Sequence, residues 1–200
     1  MRKIYFIDHY DSFSSNVLDW LWRGGIDPAQ IDRIFFDDLE RMRNLVFDNS
    51  AIVFGPGPHA PADVPTSCQL ATAALGKVPL FGLCLGHQIL GYITGASIKQ
   101  RHEPWHGTTE ELLYDSESEM FKDLSGPLRV AIYNSLVVEF PQIPRPWNIV
   151  ARNSIGDVMA MTYDTDLSDG AAAWGVQFHP ESFLTQSGQT ILKNWINTFF

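Results

Sequence analysis

Two short stretches of this chain carry reactive groups at spacings that imply chemistry. Gly82-Leu83-Cys84-Leu85-Gly86 places a thiol between two glycines, where the apolar run Val78–Leu83 gives way to the helical pattern Leu85–Tyr92. A sharp strand-to-helix turn forces its central residue into strained backbone geometry and lifts the side chain out of the sheet. Glycines on either side have no Cβ, so neighbouring chain can pass close by. The helix that follows aims free N–H groups and the positive end of its dipole at the sulfur, a setting that also suits an oxyanion. A lone cysteine is more often a small core residue. The flanking glycines and the strand–helix joint favour a nucleophile at Cys84, whereas Cys68, inside the helical pattern Thr66–Leu75, reads as packing.

An ordinary thiol, with a pKa near ~8.5, is only a few per cent thiolate at neutral pH and needs a base. An imidazolium about 4 Å away, at an effective dielectric of ~20, is worth roughly 4 kcal/mol. Of six histidines, His179 follows the apolar run Ala171–Phe178. It therefore falls at the carboxyl end of a core strand, where doubly wound folds bind ligands. Pro180 keeps it out of the helical region. Glu181 can accept the other imidazole N–H and hold the tautomer, as the third member of a triad does. His-Pro-Glu alone also reads as a surface turn; beside the Cys84 elbow it makes a Cys–His–Glu hydrolase.

The elements that must position these groups follow from periodicity. Lys3–Ile7, Gln30–Phe36, Ala51–Phe54, Val78–Leu83 and Ala171–Phe178 read as buried strands. Phe13, Val17, Trp20 and Leu21 give one helical face, opened by Asp11 or Ser12 and stopped by Gly24-Gly25. Further helices are predicted at Thr66–Leu75, Leu85–Tyr92 and along Ile191, Leu192, Trp195, Ile196 and Phe199. This alternation predicts an α/β fold with a doubly wound, mostly parallel sheet flanked by helices. Short β-like runs at Thr108–Tyr114, Leu128–Ile132, Leu136–Phe140 and Asp157–Met161 predict a small antiparallel patch on one edge. Gly55–Pro65 is a Gly/Pro loop, and Pro141–Trp147 a loop inside one domain spanning residues 1–200.

Composition narrows the function. With 14 Lys+Arg against 23 Asp+Glu, the formal charge of −9 disfavours nucleic acid or an anionic membrane as partner. No apolar run approaches the ~20 residues of a bilayer span, and Ile4–Ile7 is too short for a signal peptide. Two cysteines form no disulfide framework and fit a reducing cytoplasm. His102-x3-His106 has a helical metal-pair spacing, but Pro104 breaks the helix and no further ligand completes the set, so no metal is expected. No dinucleotide or Walker A loop is present, and no cofactor is expected. Asp37-Asp38 and Glu110-Glu111 read as solvated charges, and Trp105 or Trp147 as core packing or an exposed partner contact.

Taken together, the blocks resemble a known family. Gly82-Leu83-Cys84-Leu85-Gly86-His87-Gln88 and Gly175-Val176-Gln177-Phe178-His179-Pro180-Glu181-Ser182 are similar to the two signature blocks of triad-type (class I) glutamine amidotransferases. Asp8 to Asn16 (DHYDSFSSN) resembles the opening block of a narrower group, the glutaminase component (component II) of anthranilate synthase and aminodeoxychorismate synthase. Gly55-Pro56-Gly57, His106-Gly107 and Tyr133–Glu139 follow in the family's order, so the resemblance covers essentially the whole chain.

The resemblance implies a flavodoxin-like amidotransferase fold in which Cys84, His179 and Glu181 hydrolyse L-glutamine through a γ-glutamyl thioester. It implies an oxyanion site at the backbone N–H groups of Gly57 and Leu85, and glutamine binding by Gly55, Gly57, Gln88, Ser135 and Leu136. It further implies a separate synthase subunit that takes the ammonia and aminates chorismate or a close relative. Departures from the family pattern are Asn134 for the usual His, Thr108 for the usual Lys, Phe54 before Gly-Pro-Gly, and Ile93-Thr94-Gly95 for a double glycine. They mark a divergent member, suited to a specialised pathway. A γ-glutamyl peptide hydrolase, or a regulatory subunit with an idle triad, are the competing functions.

Overall fold

The computed structural model describes residues 3–101, 107–143, 145–163 and 171–199. The His102-x3-His106 pair and Trp105 lie outside the described residues. A first half of alternating elements runs β1 (Lys3–Asp8), α1 (Ser14–Arg23), β2 (Ile31–Phe35), α2 (Leu39–Arg43), β3 (Ser50–Phe54), α3 (Pro65–Ala74), β4 (Leu80–Leu83) and α4 (Leu85–Ile93). Then follow β5 (Ser97–Gln100), β6 (Thr108–Tyr114), β7 (Leu128–Ile132), β8 (Leu136–Glu139), β9 (Trp147–Arg152), β10 (Val158–Tyr163), β11 (Ala173–Val176) and α5 (Gly188–Phe199).

Among the described residues, nine strands form one sheet in the order β2-β1-β3-β4-β11-β10-β9-β6-β7. The first five are parallel, and their order is that of a flavodoxin-like doubly wound sheet. The rest are antiparallel; β5 and β8 pair separately. The antiparallel part is thus a four-strand continuation of the main sheet together with a two-stranded ribbon.

Strand alternation explains the layers. Ile4 and Phe6 of β1 join Val17, Trp20 and Leu21 of α1 and Ile191, Leu192 and Trp195 of α5. Tyr5 and Ile7, facing the other way, join Leu70 and Ala71 of α3 and Ile89 and Leu90 of α4. Each fully buried aliphatic or aromatic side chain contributes about 1.5–3 kcal/mol relative to exposure. The Trp20 indole N–H also donates to the Gly188 carbonyl at 3.0 Å, tying α1 to α5.

Several local expectations need revision. Helix α1 begins at Ser14 rather than at a capping Asp11 or Ser12; the Asp11 carboxylate instead accepts the Phe13 N–H at 2.8 Å and turns the chain into the helix. Helix α2 and strands β5 and β9 escaped the sequence reading. One is five residues long, one has a single apolar residue, and one starts directly after a Pro-rich loop. Trp147 opens β9 and is buried against Tyr163, so it is a core residue and no partner contact.

Glu110 is also buried, contrary to the solvated reading, while Glu111 is exposed. Arg101 lies 2.9 Å from Asp157 and 3.9 Å from Glu110, with Asn153 bridging to Asp157 at 2.9 Å. Burial pushes the Glu110 carboxyl pKa up, and the Arg101 charge only partly offsets this.

His87 and His9 are buried neutral, each with its pKa pulled down to about 4 by burial and only partly restored by backbone partners. The unfolded chain binds these protons near pH 6.5, so protonation favours unfolding. Their stabilising effect is complete above pH 6.5 and is lost as the pH falls toward about 4, on the order of 3 kcal/mol for each histidine. Urea unfolding free energies should therefore drop across that window; a flat profile would contradict neutral burial.

Candidate active site

The carboxyl ends of β1, β3, β4 and β11 converge, as a parallel sheet requires, and each delivers one part of a cleft of about 430 Å³. Strand β4 delivers Cys84, whose backbone adopts φ +52° and ψ −98°. Such a conformation costs a non-glycine residue about 1–3 kcal/mol and persists only where surroundings impose it. Here they do. A Cβ at Gly82 would stand 2.5 Å from the Gly86 carbonyl carbon, and one at Gly86 only 2.2 Å from the Phe54 carbonyl oxygen. Both glycines are therefore required for α4 to start hard against β3. Cys84 donates its N–H to the Val176 carbonyl at 2.9 Å, fixing the elbow to β11 as well.

Beyond β11 the chain carries His179 back over the elbow. Its N–H donates to the Ala131 carbonyl at 3.1 Å, and its carbonyl accepts the Thr185 hydroxyl at 2.8 Å. Nδ1 donates to Glu181 Oε1 at 2.6 Å, with both side chains almost wholly buried. Two aromatic rings confine the imidazole: Tyr133 edge-on at 4.9 Å and Phe13 at 5.3 Å. Nε2 is buried and makes no well-formed hydrogen bond to a described residue; beyond Glu181, the ring's electrostatic partner is the Cys84 sulfur. Burial by itself would lower the His179 pKa. The Glu181 carboxylate and the Cys84 sulfur overturn that and raise it well above its ordinary value. The two counter-groups thus favour the charged form of the ring over the neutral one.

The remaining predicted residues sit around this pair. Gly57 lies against Leu85 and His9, where a Cβ would meet Leu85 Cδ2 at 2.8 Å and His9 Cβ at 2.6 Å. Its backbone can therefore approach the amide at the start of α4, and both N–H groups stand outside the described hydrogen bonds. Gly57, Gln88, Ser135 and Leu136 line the cleft; Gly55 lies behind it, packed on Phe6. Asn134 donates from Nδ2 to the Leu136 carbonyl at 2.8 Å and so braces the backbone of that wall. The Arg101 N–H bonds the Ser135 carbonyl at 2.9 Å, linking the same wall to the buried ion cluster.

Sequence reasoning missed Phe13 and Tyr133 as walls of the His179 pocket; both belong to blocks already singled out, but only the fold brings them together. Cys68 lies half-buried in α3 with its thiol pKa pushed up to about 11 by burial, as a packing residue should. No group of three His, Cys, Asp or Glu among the described residues could hold a metal ion. No helix among them is long and apolar enough to cross a membrane.

The family model for class-I glutamine amidotransferases matches residues 5–198. The chain belongs to that family. This amidotransferase is 33% identical over 198 residues to the bifunctional protein TrpGD of Thermotoga maritima, spanning 98% of the chain but only 32% of that longer protein. It is 32% identical over 198 residues to the aminodeoxychorismate/anthranilate synthase component 2 of Bacillus subtilis, covering 98% of the chain and 96% of the relative. Anthranilate synthase component 2 of Azospirillum brasilense is 33% identical over 193 residues, covering 96% and 94%.

Solved structures share the fold at lower identity. A glutamine amidotransferase from Thermotoga maritima superimposes with a TM-score of 0.72 at 19% identity, covering 98% of this chain and 81% of its own. One from Methylobacillus flagellatus gives 0.73 at 16%, covering 100% and 96%.

Because Glu181 raises the His179 pKa, replacing it by an uncharged isostere must lower it. Glu181→Gln should move the alkaline limb of the pH–rate profile for kcat/KM to lower pH; an unmoved limb would show that the carboxylate does not govern the imidazole.

Proposed function

We propose that Cys84, His179 and Glu181 are the catalytic residues with which this amidotransferase hydrolyses L-glutamine. The observation that carries the reading is the buried Glu181–His179 bond at 2.6 Å, on a ring whose charged form is favoured by that carboxylate and by the elbow sulfur. The Cys84 thiolate attacks the glutamine carboxamide carbon, and the oxygen takes up the charge between the Gly57 and Leu85 N–H groups. His179 gives its Nε2 proton to the departing nitrogen, so ammonia leaves and a γ-glutamyl thioester remains. Neutral Nε2 then takes a proton from water, which displaces the sulfur and frees glutamate. Ser135 and Leu136 hold the amino acid's α-groups through their backbone, and Gln88 completes the pocket. The steps use protein groups alone and call for no cofactor in this chain.

The ammonia is delivered to a separate synthase subunit that aminates chorismate or a close relative, in keeping with the names of the full-length relatives. Tyr10, on the loop after β1, and Phe183, on the loop after β11, are exposed at 54% and 87%. These rings, at the same end of the sheet as the cleft, suit a docking face for that partner. Two cysteines without a disulfide agree with a cytoplasmic setting.

Glutaminase turnover measured with and without the candidate synthase tests the reading. Turnover should rise with the synthase and vanish in Cys84→Ala. Cleavage of γ-glutamyl peptides by the isolated chain would instead establish a peptide hydrolase, and the absence of any thioester would establish an idle triad. In single-turnover experiments Glu181→Ala should lose less rate than His179→Ala, since orienting a base matters less than having one; equal losses would refute that order.

A further inference from the structure

Gln177 joins β11 to His179, and its side chain is completely buried. Its backbone N–H is fixed to the Met159 carbonyl at 2.9 Å. One end of its carboxamide lies 3.6 Å from Cys84 Sγ, and the other 3.2 Å from the amide nitrogen of Gln88. That same Gln88 nitrogen lies 3.2 Å from the Leu136 carbonyl oxygen.

Donor and acceptor chemistry decides which end is which. A backbone carbonyl can only accept, so the Gln88 atom beside Leu136 is the NH2 group. That group has two protons; one goes to Leu136 and the other to Gln177, whose facing atom must accept and is therefore Oε1. The opposite end of the Gln177 carboxamide, turned toward the sulfur, is then its NH2 group. A wall carbonyl thus fixes the orientation of two buried amides in series, and the second presents an N–H to the nucleophile.

We propose that Gln177 is a further catalytic residue of this site, donating an N–H to the Cys84 sulfur and stabilising its anionic form. The inference rests on the reading of Cys84 as the nucleophile. A thiol is a weak acceptor, whereas hydrogen bonds to a charged acceptor are roughly twice as strong. The donor therefore favours thiolate over thiol and acts alongside the His179 imidazolium. A second consequence concerns Gln88: with both N–H protons engaged, only its Oε1 remains for the substrate. The glutamine group it meets must be a donor, the α-ammonium or the carboxamide NH2, and never the carboxylate.

The test reads the sulfur directly. Alkylation of Cys84 by iodoacetamide, followed by mass spectrometry from pH 4 to 9, should show an acid limb in the wild-type chain. In Gln177→Leu that limb should move up by about one pH unit, a roughly tenfold loss of rate at any pH along it. Gln177→Glu keeps the acceptor for Gln88 but replaces the donor by a carboxylate oxygen, and should move the limb further than Gln177→Leu. A limb that stays in place in either variant, with circular dichroism showing the native fold, overturns the proposal.

Should the Gln177 variants not fold, a chain that keeps Gln177 still decides. The Gln177 side-chain amide resonance should follow the same pH transition and lose it in Cys84→Ala; a resonance that ignores Cys84 overturns the proposal equally. Glutamine takes no part in either readout. A chain with the expected limb that hydrolyses no glutamine would refute the glutaminase reading alone, and a working glutaminase with an unmoved limb would refute the role of Gln177 alone.

Discussion

The backbone at Cys84 is the constraint on which the rest of the structure depends. A left-handed φ on a non-glycine residue at the end of a buried strand is unfavourable by about 1–3 kcal/mol. The fold sustains it because Gly86 starts α4 within a few ångströms of the Phe54 carbonyl, and Gly82 lets the helix end close over the strand. Relaxing the turn would mean pulling α4 off β3, and with it Leu85, Ile89 and Leu90 out of a packed layer. Core packing therefore holds a thiol on a strained backbone at the mouth of the cleft, beside a helix start whose first N–H groups have no partner within the helix.

The second partner depends on a contest between burial and charge. His179 is as buried as His87 and His9, yet its proton affinity moves in the opposite direction. Desolvation acts against the charged form in all three. Of the three, only His179 has a carboxylate at 2.6 Å and a sulfur as counter-groups, so only there does the pKa move up. Phe13 and Tyr133 exclude water from the ring and so strengthen that local field. The same fold thus lowers the proton affinity of two histidines by burial and raises that of the third by its counter-groups.

Much of this was legible in the sequence because the signals are local. Continuous apolar runs marked β1, β3, β4 and β11, which are covered on both faces; the period of Val17, Trp20 and Leu21 marked α1. Elements held by tertiary contacts rather than by their own pattern stayed hidden. β5 has one apolar residue and is held by pairing with β8, and β9 follows a Pro-rich loop that masks its start. Glu110 read as solvated because its neighbour Glu111 is; the buried Arg101, nine positions earlier, reverses that.

By itself the sequence determined the glycine-flanked Cys84 elbow proposed as nucleophile, the His179-Pro180-Glu181 block proposed as base and carboxylate, and the parallel half of the sheet. Each is written in contiguous residues, where steric limits and hydrophobic period act over a few positions. Only the tertiary structure decided which groups meet: the aromatic walls of His179 from two distant loops, the wall carbonyl that orients Gln88 and Gln177, and the fate of each buried charge. Those outcomes depend on through-space distance in a medium that excludes water, and spacing along the chain does not carry that information.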